Sequence, residues 1–217
     1  MITLKRNEVL IKETALRNYQ DAFKNTHSFV IPDFFCSSLQ ELINLYLSQA
    51  EYFVDSHAGT QNNLIAKEYT VTRESIIHNL LYFYLNKPVV RETVKKITQC
   101  DNIKGFFGRI YKFEEDENCF DSWHNDISTE EDRIVGISIN LSNSAYTGGE
   151  FTIRNKKTHE IYRKVKHDNW GGVHFFRIHP DLEHKVDKVT GINPRIAYAG
   201  WFIDPISEDK SVHTLDK

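Results

Sequence analysis

Cysteine is scarce in this 217-residue chain, and Cys36, Cys100 and Cys119 show no CxxC spacing. An odd, unpatterned set excludes a disulfide framework and suits a reducing compartment, so a cytoplasmic location is expected. No run of about 18 apolar residues occurs, which excludes a membrane-spanning helix. The opening MITLKRNEVLIKETALRNYQ is charged throughout and lacks the apolar stretch of a secretory leader. There is no excess of either charge: 27 Lys and Arg against 30 Asp and Glu leave a net −3. Nucleic-acid-binding domains carry a strongly basic surface, so that partner is not expected. Only five prolines punctuate the chain, and no repeat or low-complexity tract is visible. With 40% hydrophobic and 26% charged residues, the chain can bury a core without staples. Histidine is the exception to this plainness. There are ten.

Periodicity divides the chain near residue 103. Before it, apolar residues at helical spacing predict helices over 12–25, 37–53, 74–86 and 89–100, with a short strand at 28–35 and a long polar loop at 55–72. After it come short β-rich runs at 104–113, 132–142, 150–155, 159–166, 173–178, 184–190 and 195–203, separated by glycine-bearing turns. Many short strands at regular spacing argue for a β sandwich or barrel, with helices leading in. The reading is one domain over 1–217: a helical buttress and lid region at 1–102, a β core at 103–204 and a tail at 205–217.

The informative segment is FDSWHNDIS, residues 120–128. His124 and Asp126 are two apart, so an extended backbone points both to one face. An imidazole beside a carboxylate is half of a divalent-metal site; the plainer alternative is a His–Asp pair satisfying itself. DLEHKVDKVTGINPRIAYAGWF, residues 181–202, adds His184 in a strand-like run and Arg195 at the head of the last strand. Arg195 shares its face with Ala197, Ala199 and Trp201, and small neighbours leave room for a ligand at its head; a surface salt-bridge arginine is the plain reading. Two His and one carboxylate with open positions form the facial triad of non-haem Fe(II) oxygenases. A fixed guanidinium nearby suits a carboxylate-bearing co-substrate. In 133–141, Val135, Ile137, Ile139 and Leu141 alternate with Gly136, Ser138 and Asn140, which turns a small, polar face inward.

The order RIYKF, WHND, ISINLS, GGEFTI, FF, HKVDKVTGINPR, GWF across about residues 105–203 resembles the Fe(II)- and 2-oxoglutarate-dependent dioxygenases, in their prolyl-4-hydroxylase-like branch. SFVIPDFFCSSLQELINLY (28–46) is similar to that branch's lead-in strand and helix. The resemblance implies a mainly β fold with N-terminal helices, its core a double-stranded β-helix (a cupin-like jelly roll of two antiparallel sheets). It implies His124, Asp126 and His184 as iron ligands and Arg195 on the distal carboxylate of 2-oxoglutarate, with Asn140 and Tyr111 as further co-substrate contacts. Fe(II), 2-oxoglutarate and O2 would be the cofactors, and the branch allows stimulation by ascorbate. Two departures stand out: the His184-to-Arg195 interval is one residue longer than the family's, and Ala197 occupies a position where a hydroxyl is frequent. His174, inside an apolar strand, and His179, before Pro180 in a turn, are poorer choices for the second histidine.

The resemblance implies oxidation of an unactivated C–H bond as 2-oxoglutarate becomes succinate and CO2. Hydroxylation is the default outcome, because halogenating relatives replace the carboxylate that Asp126 supplies here. Nine acidic residues and no Lys or Arg fall in 114–132; solvated loop charge explains them more simply than an acidic mouth for a cationic substrate. The loop at 55–72, with Tyr69 and Arg73, is placed as a lid. A small molecule or amino acid derivative is the expected substrate, since no peptide-binding module is appended. A peptidyl or protein prolyl-type hydroxylase, a zinc hydrolase on the same ligands, and a cupin-like metal-binding module without turnover are the alternatives.

Overall fold

A computed structural model describes residues 2–5, 8–58, 65–115, 119–129, 131–166 and 169–205. In chain order it contains β1 (Ile2–Leu4), β2 (Val9–Ile11), α1 (Glu13–Thr26), β3 (Ser28–Ile31), α2 (Ser37–Leu47), β4 (Tyr52–Ala58), β5 (Ile65–Val71), α3 (Ile76–Leu85) and α4 (Pro88–Thr98). Then follow β6 (Gly105–Phe113), β7 (Asp121–His124), β8 (Glu131–Asn140), β9 (Thr147–Gly148), β10 (Phe151–Asn155), β11 (Ile161–Val165), β12 (Val173–Arg177), β13 (Leu182–Val186), β14 (Val189–Thr190) and β15 (Arg195–Pro205).

Two antiparallel sheets form the core. The major sheet has seven strands in the order β3-β12-β8-β15-β6-β5-β4, the minor sheet four in the order β11-β10-β13-β7. This is the mainly β jelly roll with N-terminal helices expected from the sequence. Side-chain alternation gives the major sheet its two faces. Val135, Ile137, Ile139, Tyr198 and Phe202 pack outward with Phe23 of α1, Ile43 and Leu47 of α2, Leu81 and Leu85 of α3, and Val94 and Ile97 of α4. In α2, α3 and α4 these apolar positions recur at i, i+3 or i+4, the stripe that an amphipathic helix buries. The opposite face of the sheet carries Tyr111, Arg195 and Ala197, and a second cluster joins it to Phe151, Ile153 and Val186 of the minor sheet. Local chemistry marks the helix ends. The Ser75 hydroxyl accepts from the His78 amide at 3.2 Å to cap α3, Pro88 opens α4, and His27 and Gln99 end α1 and α4 in the left-handed region.

The N-terminal half departs from its sequence pattern. The loop expected over 55–72 is largely strand: β4 pairs with β5, and β5 joins β6, extending the major sheet at its edge. Residues 59–64 lie outside the described residues. Polar composition hid these strands, because their side chains engage in charge contacts; the Lys112 ammonium sits 4.9 Å from the ring centres of both Tyr52 and Tyr69. The helix expected over 37–53 ends at Leu47, giving β4 its residues. Among the described residues, no helix is long and apolar enough to cross a membrane.

Candidate metal centre and adjoining cavity

The minor sheet assembles three candidate ligands. His124 at the end of β7 lies directly opposite His184 of β13, so antiparallel pairing brings together rings 60 residues apart in sequence, with centres 4.4 Å from one another. Asp126 follows β7 and sits between them: Oδ1 is 3.4 Å from His124 Nε2 and Oδ2 is 3.3 Å from His184 Nε2. The three donor atoms all lie within 4.8 Å of one another. Ligands about 2.1 Å from one ion and at right angles stand roughly 3 Å apart, so small side-chain rotations seat a metal here. The His124 Nδ1 lies 2.6 Å from the Ser122 carbonyl, which accepts its proton and leaves Nε2 with a lone pair for a metal. His184 is clamped by Phe151, stacked at 5.1 Å, and by Phe176, tilted at 4.6 Å. Burial opposes charge on Asp126, but both imidazoles outweigh it and hold the carboxyl well below its usual range. Burial likewise opposes the His124 charge; the hydrogen bond and charge of Asp126, with Asp121 beyond, push its pKa up to about 9. The donor set fits a divalent ion with an open face.

The major sheet supplies a cation beside this centre. Arg195, 3% exposed, donates from Nη1 to the Tyr111 hydroxyl at 2.5 Å and from Nη2 to Ser138 Oγ at 3.1 Å. Burial works against its charge, and Tyr111, Tyr146 and the more distant Asp121 carboxylate act the other way, holding the guanidinium above its ordinary range. Gly149 makes room for it: at φ +65° it is in the left-handed region, and a Cβ there would meet Arg195 Cδ at 2.9 Å.

The cavity between the sheets contains about 510 Å³ of atom-free space and is bounded by all three candidate ligands, Arg195, Tyr111 and Ser138. Asn140 does not border it. Its amide donates to the Asn169 carbonyl at 3.1 Å and its Oδ1 accepts from the Ser142 amide at 3.0 Å, so it pins the end of β8. Asn140 was expected as a co-substrate contact; Ser138, two residues earlier on the same face, is the polar group that reaches Arg195. His174 is buried on β12 against Phe151, and His179 is half exposed near Asp181; neither borders the cavity.

Two features were not read from the sequence. Arg109, two residues before Tyr111 on β6, is gripped by Glu68 of β5 through Nε–Oε1 at 2.7 Å and Nη2–Oε2 at 3.1 Å. The missing signal was β5 itself. Asp121 also borders the cavity. Odd spacing from His124 puts the two on opposite faces of a regular strand, but the β7–β13 register shifts between His184 and Val186, so that Asp121 is paired with Val186. A one-residue bulge re-aims the carboxylate inward.

The sequence model of the 2OG-Fe(II) oxygenase superfamily matches residues 108–203, bearing out the resemblance read from the sequence. No curated protein matches the chain. Solved structures share the fold: a 2OG-Fe(II) oxygenase family oxidoreductase from Burkholderia pseudomallei has TM-score 0.66 at 14% identity, covering 94% of this chain and 95% of its own. A Pseudomonas putida prolyl-4-hydroxylase has TM-score 0.62 at 12% identity, covering 87% and 98%. A Trichoplax adhaerens prolyl hydroxylase, solved with a hypoxia inducible factor peptide fragment, has TM-score 0.62 at 16% identity, covering 95% and 98%. The family implies Fe(II), 2-oxoglutarate and O2 as cofactors.

Proposed function

We propose that this protein is a 2-oxoglutarate-dependent iron oxygenase that hydroxylates, or otherwise oxidises, a C–H bond of a small molecule or amino acid derivative. The observation that carries this reading is a pair of charges in one cavity. His124, Asp126 and His184 offer a metal three donors, and Arg195 is a buried cation whose side-chain partners, Tyr111 and Ser138, are neutral hydroxyls. Among the described residues no carboxylate lies in hydrogen-bonding reach of this guanidinium, and Asp121 acts on it only from farther off, so its remaining N–H groups are open to an anion. Arg195 therefore calls for a carboxylate-bearing ligand within reach of the metal.

His124 Nε2, His184 Nε2 and one Asp126 oxygen would hold the metal. When bound, Fe(II) with 2-oxoglutarate and O2 supplies oxidative decarboxylation of the co-substrate coupled to oxidation of a substrate C–H bond. The protein's part is positioning and exclusion. Arg195 retains a second N–H on each terminal nitrogen after serving Tyr111 and Ser138, enough for a bidentate hold on the distal carboxylate. Tyr111 and Ser138 fix the plane of that fork. Phe151 and Phe176 keep His184 from rotating and keep water off its ring. Ala199, Gly200 and Trp201 also line the cavity.

The test is succinate formation from 2-oxoglutarate by protein loaded with Fe(II) without oxygen and then exposed to air. Wild type should turn over slowly without substrate. Asp126→Ala and His184→Ala should form none, and Arg195→Ala should recover with added 2-oxoglutarate. Iron binding and succinate formation that are the same in wild type and all three variants would sink the reading. A peptide that accelerates wild-type turnover where small molecules do not would move the substrate class to proteins.

A further inference from the structure

We infer that Asp121 is the specificity anchor of the cavity and that it recognises a positively charged nitrogen, a primary ammonium or guanidinium, on the substrate. The inference rests on the oxygenase reading above and names its substrate class.

Around the cavity, each other charged or strongly polar side chain has a task. His124, Asp126 and His184 face one another as the metal set. Arg195 is fixed by Tyr111 and Ser138 and awaits the co-substrate. Arg109 carries a second guanidinium to the cavity wall, but Glu68, whose side chain is 4% exposed, neutralises it through two hydrogen bonds. Asp121 remains. Among the described residues, no hydrogen bond or close ion pair holds its carboxylate, although the charges of Arg109, Arg195 and His124 act on it from farther away. The bulge in β7 has turned it from the outer face, where Trp123 stacks under Arg154 at 3.6 Å, onto the cavity wall. A regular β7 would have left the carboxylate in solvent.

Charge complementarity follows. With a co-substrate on Arg195 and Glu68 on Arg109, Asp121 is the carboxylate on the cavity wall without a direct hydrogen-bonded cation. A carboxylate partly withdrawn from water favours a cation that restores its hydrogen bonds. Trp201 of the major sheet lines the same cavity; its ring already attracts Arg109, 5.9 Å away, and suits the methylenes or charge of an alkylammonium. Glu68 thereby acquires a purpose: without it, Arg109 would pair with Asp121 and close the anchor.

The test compares three five-carbon probes that differ only in head group: pentylammonium, 1-pentanol and pentanoate. Binding is measured by calorimetry without oxygen, on protein loaded with Mn(II) and 2-oxoglutarate, whose own binding is recorded first. In wild type, pentylammonium should bind at least about tenfold tighter than pentanol, with pentanoate weakest. In Asp121→Asn, which keeps the shape and removes the charge, the ammonium advantage should fall to within about twofold; Asp121→Glu should retain part of it. Equal or undetectable binding of all three probes, a preference for pentanoate, or an ammonium preference that survives Asp121→Asn would overturn the inference while leaving the oxygenase reading intact. Failure of wild type to take Mn(II) and 2-oxoglutarate would overturn that reading, and this inference with it.

Discussion

The two sheets build their functional groups in opposite ways. On the major sheet, Tyr111, Ser138 and Arg195 occupy regular strands, and plain alternation puts them on one face, where they hydrogen-bond to one another before any ligand arrives. On the minor sheet, His124, Asp126 and Asp121 sit at a bulge and just past a strand end, with an ionised carboxylate between two imidazoles. On the proposed reading, regular structure gives a rigid receptor for the distal carboxylate, and irregular structure gathers donors around a point and re-aims a side chain toward substrate. In this account the division of labour is strict: the minor sheet holds metal and reads substrate, while the major sheet holds co-substrate.

Replacing a metal ligand is the harshest way to break this comparison. Asp126→Ala should abolish iron binding and succinate formation together, a loss of at least about a thousandfold in rate. It should leave the hydrogen bonds of the major sheet in place, checked by metal analysis beside turnover. Arg195→Met comes next. It removes the cation but keeps the stem, so iron should stay bound while 2-oxoglutarate affinity falls about a hundredfold in a titration of succinate formation. Gly149→Ala probes the seam between the sheets: left-handed backbone strain and the Cβ contact with Arg195 Cδ should cost about 1–3 kcal/mol of stability by denaturant unfolding and weaken 2-oxoglutarate as well. Ser138→Ala is the mildest. Loss of one neutral hydrogen-bond partner should raise the 2-oxoglutarate concentration for half-maximal turnover by about three- to tenfold, with iron affinity unchanged.

The same contrast explains what could be read in advance. Alternation along 133–141 and 195–203 predicted both faces of the major sheet, because a regular strand repeats every two residues whatever its partners. The pairing of His124 with Asp126 was visible as a spacing, and His184 entered through its strand-like run. Asp121 was illegible, because a bulge depends on how β7 meets β13 and not on β7 alone. β4 and β5 were hidden by their polar residues, which read as loop until a neighbouring strand gives them a partner; with them went the Glu68–Arg109 pair. Asn140 shares its face with Ser138, but its amide group donates to the Asn169 carbonyl, a partner 29 residues away that the sequence does not show nearby.

The most direct test of the division between the sheets is equilibrium Fe(II) binding, measured without oxygen in wild type, His184→Ala and Arg195→Met, each with and without 2-oxoglutarate. The account predicts that His184→Ala loses the metal in both conditions. Arg195→Met should keep wild-type affinity for iron alone and lose most of the tightening that 2-oxoglutarate brings. If Arg195→Met loses iron as fully as His184→Ala, or if His184→Ala binds iron normally, the two sheets do not divide the work and the central claim fails.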